Sequence, residues 1–179
     1  MIFLFCGLSG AGKSTLASSV KLKLDEIGLP VEIVDGDEYR RVISNDLSFC
    51  KDDRCENIRR LAFVANKFAS HGIITIISAI NPYEDVRREL KNEFPDMRLV
   101  YVDCPVEVLK KRDTKGLYRK AFLPDGAPGK VYNLTGVNDH FDRPGNPDLR
   151  LDTSSYNVQQ CTENLFEFIM GSVILKAGA

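Results

Sequence analysis

With 179 residues, the chain is long enough to bury a substantial core and has the usual size of one domain. Hydrophobic residues make up 44% of it and charged residues 27%, the balance of a globular protein rather than a disordered one. The 24 Lys and Arg against 25 Asp and Glu leave a formal net charge of −1, which argues against a general nucleic-acid binder.

Short apolar runs alternate with longer amphipathic segments along the chain. Ile2 to Cys6 reads as a buried strand, followed by a helix over Ser14 to Ile27 in which Leu16, Val20, Leu24 and Ile27 recur at helical spacing and Gly28 supplies the stop. Val31 to Val34 is a second strand, Arg54 to Ser70 a second long helix, and Ile73 to Ile77 a third strand. Pro82 fits the first turn of a helix over Tyr83 to Phe94, and Leu99 to Val102 gives a fourth strand. Residues 115–148 hold Pro124, Pro128, Pro144 and Pro147 with Lys115, Arg119, Lys120 and Lys130 interleaved, and read as a basic lid. A packing helix over Val158 to Leu175 ends the pattern. Strand and helix alternating in this way predict an α/β sandwich with a parallel sheet and right-handed crossovers, one domain over residues 1–179.

The five cysteines are scattered, form no C-x-x-C pair and are accompanied by only two histidines, so a structural zinc site is not expected. Dispersed thiols suit a reducing compartment. The apolar run at Met1 to Phe5 is too short for a signal peptide, and no stretch approaches the ~20 apolar residues of a membrane span. The expectation is a cytoplasmic protein with no membrane or nucleic-acid partner.

The octapeptide Gly7-Leu8-Ser9-Gly10-Ala11-Gly12-Lys13-Ser14 matches G-x-x-x-x-G-K-S at every fixed position, between a strand and a helix. Glycines let backbone N–H groups turn inward around phosphates, and the helix N-terminus adds positive dipole. Gly7, Ser9, Gly10, Ala11, Gly12, Lys13, Ser14 and Thr15 are therefore expected to hold ATP. Lys13 should reach its β- and γ-phosphates and the Ser14 hydroxyl should bind Mg²⁺. The fold expected is the three-layer P-loop NTPase fold. No N-K-x-D guanine-reading motif is present, since Asn66-Lys67 is followed by Phe68-Ala69. The length suits a small-molecule kinase.

The second strand ends in Asp35-Gly36-Asp37, and strand C-termini in an open parallel sheet face the binding crevice. A carboxylate there orients Mg²⁺ and accepts the proton of an attacking hydroxyl. That role falls to Asp37, a candidate catalytic residue with Lys13 and a candidate metal residue with Ser14, while Asp35 supports it. Arg40 and Arg54 are candidate clamps for phosphate or sulfate oxygens, whereas Arg59 and Arg60 suit a solvated helix face. Phe49, in a polar loop, is placed to stack on a nucleobase.

Several stretches in order resemble the adenylylsulfate kinase (APS kinase) family: GLSGAGKSTLA from Gly7, DGDEYR from Asp35, DLSFCKDDRCENIRR from Asp46, Ile80 with Pro82-Tyr83, VYVDCPVEVLKKRDTKGLYRKA from Val100, then LTG and NPDLRLDT. The resemblance implies transfer of the γ-phosphate of ATP to the 3′-hydroxyl of adenosine 5′-phosphosulfate (APS), giving 3′-phosphoadenylyl sulfate for sulfate assimilation. It also implies that Asp37 is the base or metal-orienting carboxylate, that Arg40, Arg54 and Asn57 hold the phosphosulfate and ribose, and that Phe49 stacks on the acceptor adenine. Backbone at Ile80 would line that pocket, Lys115 would bring positive charge over the phosphates, and Arg112 would lie near the ATP. A homodimer is implied as well.

The chain departs from the family pattern around the acceptor. Asn81 stands where the family has a serine known as a phosphorylation site, and Glu84 replaces a basic residue. Leu134, before Thr135-Gly136, replaces a phenylalanine that completes the adenine sandwich, a loss that would weaken base binding by ~1–3 kcal/mol. Asn81, Leu134 and Thr135 thus join the expected acceptor site. An alternative acceptor follows, a related nucleotide such as cytidine diphosphoramidate in capsule biosynthesis. A rival from another class is a nucleotide-binding regulatory protein that has lost catalysis.

Overall fold

The computed structural model describes residues 1–177. Five parallel strands, β1 (Ile2–Cys6), β2 (Val31–Asp35), β3 (Ile74–Ser78), β4 (Arg98–Asp103) and β5 (Leu149–Asp152), form one sheet in the order β2-β3-β1-β4-β5. Seven helices accompany them: α1 (Lys13–Glu26), α2 (Gly36–Val42), α3 (Lys51–Ala69), α4 (Glu84–Glu93), α5 (Val106–Arg112), α6 (Leu117–Ala121) and α7 (Val158–Ala177). None of the described helices is long and apolar enough to cross a membrane.

The central strand shows why the sheet is covered on both faces. Every residue of β1 is buried, and successive side chains leave on opposite sides. Phe3 and Phe5 enter a cluster with Leu16, Val20 and Leu24 of α1 and Leu165 and Ile169 of α7. Ile2, Leu4 and Cys6 enter a second cluster with Ile58 and Leu61 of α3 and Val86 and Leu90 of α4. This is the expected three-layer α/β arrangement. α1 stops as its sequence predicts: Gly28 adopts φ 78° and its N–H returns to the Asp25 carbonyl.

Five elements depart from the sequence reading. The Asp-Gly-Asp after β2 opens α2, because Asp35 Oδ1 accepts from the N–H groups of Asp37 (2.9 Å) and Glu38 (3.3 Å) and so caps the helix. β5 is four residues long, alternates Leu with charged residues and has one fully buried side chain, Leu151, so no apolar run announces it. α5 and α6, of seven and five residues, are equally short. Pro82 lies before α4 rather than in its first turn, and its carbonyl accepts from the Asp142 N–H.

Segment 115–148 is also not one free excursion. Its first part carries α6, whose Tyr118 is buried and donates its hydroxyl to the Ser9 carbonyl at 2.8 Å. Leu134 and Thr135 are buried, and Asp148 accepts from Leu99 N–H on β4. The exposed, proline- and glycine-rich stretch between these anchors spans 122–130.

One residue brings the strand ends together. The Gly7 N–H donates to the Ile80 carbonyl at 3.1 Å, tying the end of β1 to the chain leaving β3. A Cβ on Gly7 would stand 2.3 Å from the Val102 carbonyl oxygen of β4, and its φ of 150° disfavours L side chains. Gly7→Ala should therefore destabilise the fold by about 3 kcal/mol or more, measurable as a lowered urea midpoint.

Candidate active site

At the C-terminal edge of the sheet three openings run into one another. The first, at the P-loop, is lined by Ser9, Gly10, Gly12, Lys13, Ser14 and Thr15 with Asp35, Asp37, Ser78 and Lys115. It shares Asp37, Ala79 and Ile80 with a second cleft that adds Arg40, Phe49, Arg54, Asn57 and Asn81. On the other side it shares Gly10, Gly12 and Thr15 with a third, bounded by Arg112, Thr153, Tyr156 and Asn157. The third opening, the P-loop trough and the second cleft thus form one continuous groove, with Asp37 and Ile80 where trough and cleft meet. Ala11, although buried, lines the third opening, whereas Gly7 lies behind this surface and shapes the loop from beneath.

Lys13 is buried, and its Nζ donates to the carbonyls of Gly7 (2.8 Å) and Leu8 (2.9 Å) of its own loop. Burial disfavours the ammonium and lowers its pKa to about 8. The lysine is thus held inside the loop at the spot where phosphate oxygens would offer stronger partners than neutral carbonyls.

The two carboxylates after β2 divide their work differently from the sequence reading. Asp35, not Asp37, touches the P-loop serine: its Oδ2 accepts from Ser14 Oγ at 2.9 Å, while its Oδ1 caps α2. Ser78 Oγ lies 3.1 Å from the same hydroxyl. These hard oxygen donors suit Mg²⁺, although no group of three or more His, Cys, Asp or Glu is placed for a metal among the described residues. Asp37 instead accepts from Lys115 Nζ at 2.6 Å. That hydrogen bond holds the Asp37 carboxyl below its ordinary pKa.

In the second cleft the Arg40 guanidinium lies 4.3 Å from the centroid of the half-exposed Phe49 ring. Arg54, expected as an anion clamp, is mostly spent on the protein. Its Nε donates to Phe49 O (2.8 Å), Nη1 to Thr135 Oγ1 (3.2 Å) and Nη2 to Asn133 O (2.9 Å). Asp139 Oδ2 lies 2.8 Å from Nη2, a contact of charges without hydrogen-bond alignment. Thr135 therefore positions Arg54 and does not line the cleft. Leu134 does not line it either: it packs in the core cluster that contains Leu8 and Tyr118. Glu84 pairs with the buried Arg87 at 2.6 Å and is likewise absent from the lining. Arg59 and Arg60 make exposed ion pairs, to Glu89 and to Asp46 and Glu56.

The sequence reading found Arg112 but missed its partners. Arg112 donates to the carbonyl of Thr153, whose hydroxyl in turn donates to Ala11 O at 2.9 Å. Thr153 follows β5, which no apolar run announces, so no local signal located it. Ser78, at the end of the apolar β3, did carry a strand-end signal.

Fold and trough together define a P-loop phosphotransferase, with a second cleft adjoining the groove over the loop. The sequence profile of adenylylsulphate kinase matches residues 1–152. The adenylyl-sulfate kinase of Deinococcus deserti is 45% identical over 165 residues, 92% of this chain and 88% of that protein. That of a Synechococcus species is 42% identical over 159 residues, 89% and 88% of the two chains. Among solved structures, the Mycobacterium tuberculosis APS kinase CysC in complex with AMPPNP and APS superposes with a TM-score of 0.86 at 35% identity, covering 94% of this chain and 96% of that one. A hexameric APS kinase from Thiobacillus denitrificans gives 0.68 at 26% identity, covering 95% of this chain and 28% of that longer one. The chain belongs to the adenylylsulphate kinase family.

Lys13 gives this site a pH signature. Its charge is half lost at about pH 8 in the free protein, and phosphate oxygens would restore it. On ATP binding Lys13 should take up a proton near pH 8 to roughly 9 and none near pH 6, well below its own range. Calorimetry in buffers of different ionisation enthalpy reads the uptake as the slope of observed heat against buffer ionisation heat, and the same slope near pH 6 and near pH 9 would contradict it.

Proposed function

We propose that the chain transfers the γ-phosphoryl group of ATP to the 3′-hydroxyl of adenosine 5′-phosphosulfate. The observation that carries this reading is the junction at Asp37 and Ile80, where the P-loop trough opens into a cleft built from Arg40, Phe49 and Asn57. An aromatic face with a guanidinium over it suits a nucleobase and an anion side by side. ATP would lie along the loop with its base end between Arg112 and the Thr153–Asn157 turn.

Mg²⁺ at Ser14 Oγ, with Asp35 close by, would neutralise charge on the β- and γ-phosphates. Lys13 would exchange the Gly7 and Leu8 carbonyls for phosphate oxygens. Lys115 would do the same, leaving Asp37 for the phosphates and so restoring basicity to the carboxylate. Asp37 then accepts the proton of the acceptor hydroxyl as its oxygen bonds to phosphorus and the bond to the ADP oxygen breaks. The transition state of such transfers is loose, so orienting that hydroxyl matters more than strong base strength. Closure of the exposed stretch 122–130 behind α6 would exclude water and limit hydrolysis.

Two features that favoured another acceptor lose weight in this geometry. Leu134 is core and Glu84 is occupied by Arg87, so neither reshapes the cleft; Asn81 is the departure that remains in it. The reading carries with it one kinase domain, a cytoplasmic location, in keeping with five unpaired thiols, and a homodimer on the family resemblance alone.

Lys13→Ala should abolish turnover, a loss of roughly a thousandfold or more. Asp37→Asn should lower kcat by roughly 10²–10⁴-fold with little change in ATP binding; near-normal kcat would remove its role. A coupled ADP-release assay should show turnover with APS. Turnover only with cytidine diphosphoramidate would move the chain to that acceptor, and ATP binding without turnover of either would favour the regulatory rival.

A further inference from the structure

The acceptor cleft contains three polar atoms that the protein leaves unpaired. Asn57 Oδ1 and both Nδ2 and Oδ1 of Asn81 are buried with no hydrogen-bond partner among the described residues. Asn57 is 5% exposed and Asn81 1%, and both residues line the cleft beside Asp37, Arg40 and Phe49. Roughly nine in ten buried polar groups are paired, so a carboxamide idle at both ends calls for an explanation. Asn81 also sits at φ 48°, in the left-handed region that side-chain-bearing residues seldom occupy. Its backbone is pinned there, because its carbonyl accepts from Arg87 Nη1 at 2.6 Å and Arg87 is itself held by Glu84 and the Asp142 carbonyl. Two separate costs fall on one residue, one position from the junction with the P-loop trough. Packing explains neither.

We propose that Asn81 is a specificity-determining residue of the acceptor site: its carboxamide, with Asn57 Oδ1, takes a hydrogen-bond donor of the acceptor nucleotide, a hydroxyl or an amino group. The proposal rests on the acceptor reading above and deepens it. Either orientation of the Asn81 amide offers one donor and one acceptor, and Asn57 adds an acceptor. Sulfate and phosphate oxygens only accept, so they would leave two carbonyl oxygens idle; a group bearing O–H or N–H satisfies them. The anionic part of the ligand falls to Arg40, since Arg54 is committed to Phe49, Asn133, Thr135 and Asp139. Rotation of the Asn81 side chain within the cleft brings the amide to the ligand without moving the pinned backbone.

Asn81→Gly separates this role from a structural one. Glycine adopts φ 48° without strain and removes the idle amide, so Tm should stay the same or rise. Calorimetric binding of adenosine 5′-phosphosulfate, with ADP present, should weaken roughly tenfold, and Asn81→Ser should fall between the two. The 2′-deoxy and inosine counterparts of that ligand locate the donor. If it is the sugar hydroxyl, the penalty of the 2′-deoxy ligand vanishes in Asn81→Gly; if it is the base amino group, that of the inosine ligand does. Binding of all three ligands unchanged within twofold in Asn81→Gly, or a fall in Tm without loss of ligand binding, overturns the assignment. Unmodified chain that binds adenosine 5′-phosphosulfate in this Asn81-dependent way yet forms no phosphorylated product refutes the proposed reaction and leaves the Asn81 assignment standing.

Discussion

The rest of the molecule depends on how closely three strand ends approach at Gly7. Its amide is bonded to Ile80 O, and Val102 O occupies the space a side chain would take. Because β1, β3 and β4 converge there, the P-loop starts from a fixed point, and the second cleft, lined by Ile80 itself, begins at the same hydrogen bond. The P-loop trough and the second cleft adjoin because one backbone contact anchors both.

Charge is distributed over this anchor so that each ionic group already has a partner. Lys13 is held by loop carbonyls, Lys115 by Asp37, Arg54 by Asp139 and neutral acceptors, Asp35 by Ser14 and the α2 N-terminus. Such pairs offset the cost of gathering charge in a cleft. They also make ligand binding an exchange of partners, in which phosphate oxygens replace carbonyls or a carboxylate. Asn57 and Asn81 stand outside this scheme, since they have nothing to exchange.

Much of this was legible in the sequence, and the pattern of what was not is physical. β1 to β4, α1, α3, α4 and α7 carry long apolar periodicities, and the P-loop is contiguous, so both could be read locally. β5 and α5 are short, and their burial comes from tertiary neighbours rather than from their own pattern. Leu134 shows the limit of transferring a role by position: the residue was identified correctly, but its side chain turns into the core instead of the cleft. Asp35 and Asp37 were both found, yet only the capping geometry of α2 decides which of them reaches Ser14. The idle amide of Asn81 has no signature in sequence, because an absent partner is visible only in three dimensions.

The Arg54 tether has a consequence for how the molecule comes into being. Its bonds to Asn133 and Thr135 close loops of 79 and 81 residues, whereas the P-loop and Asp35, the carboxylate that meets Ser14, lie within one strand-helix-strand unit. Loop-closure entropy delays contacts that are distant along the chain. The Arg54 side of the molecule is thus completed only when the last third of the polypeptide docks on α3, and the Thr153 hydroxyl reaches Ala11 across a still longer loop of 142 residues.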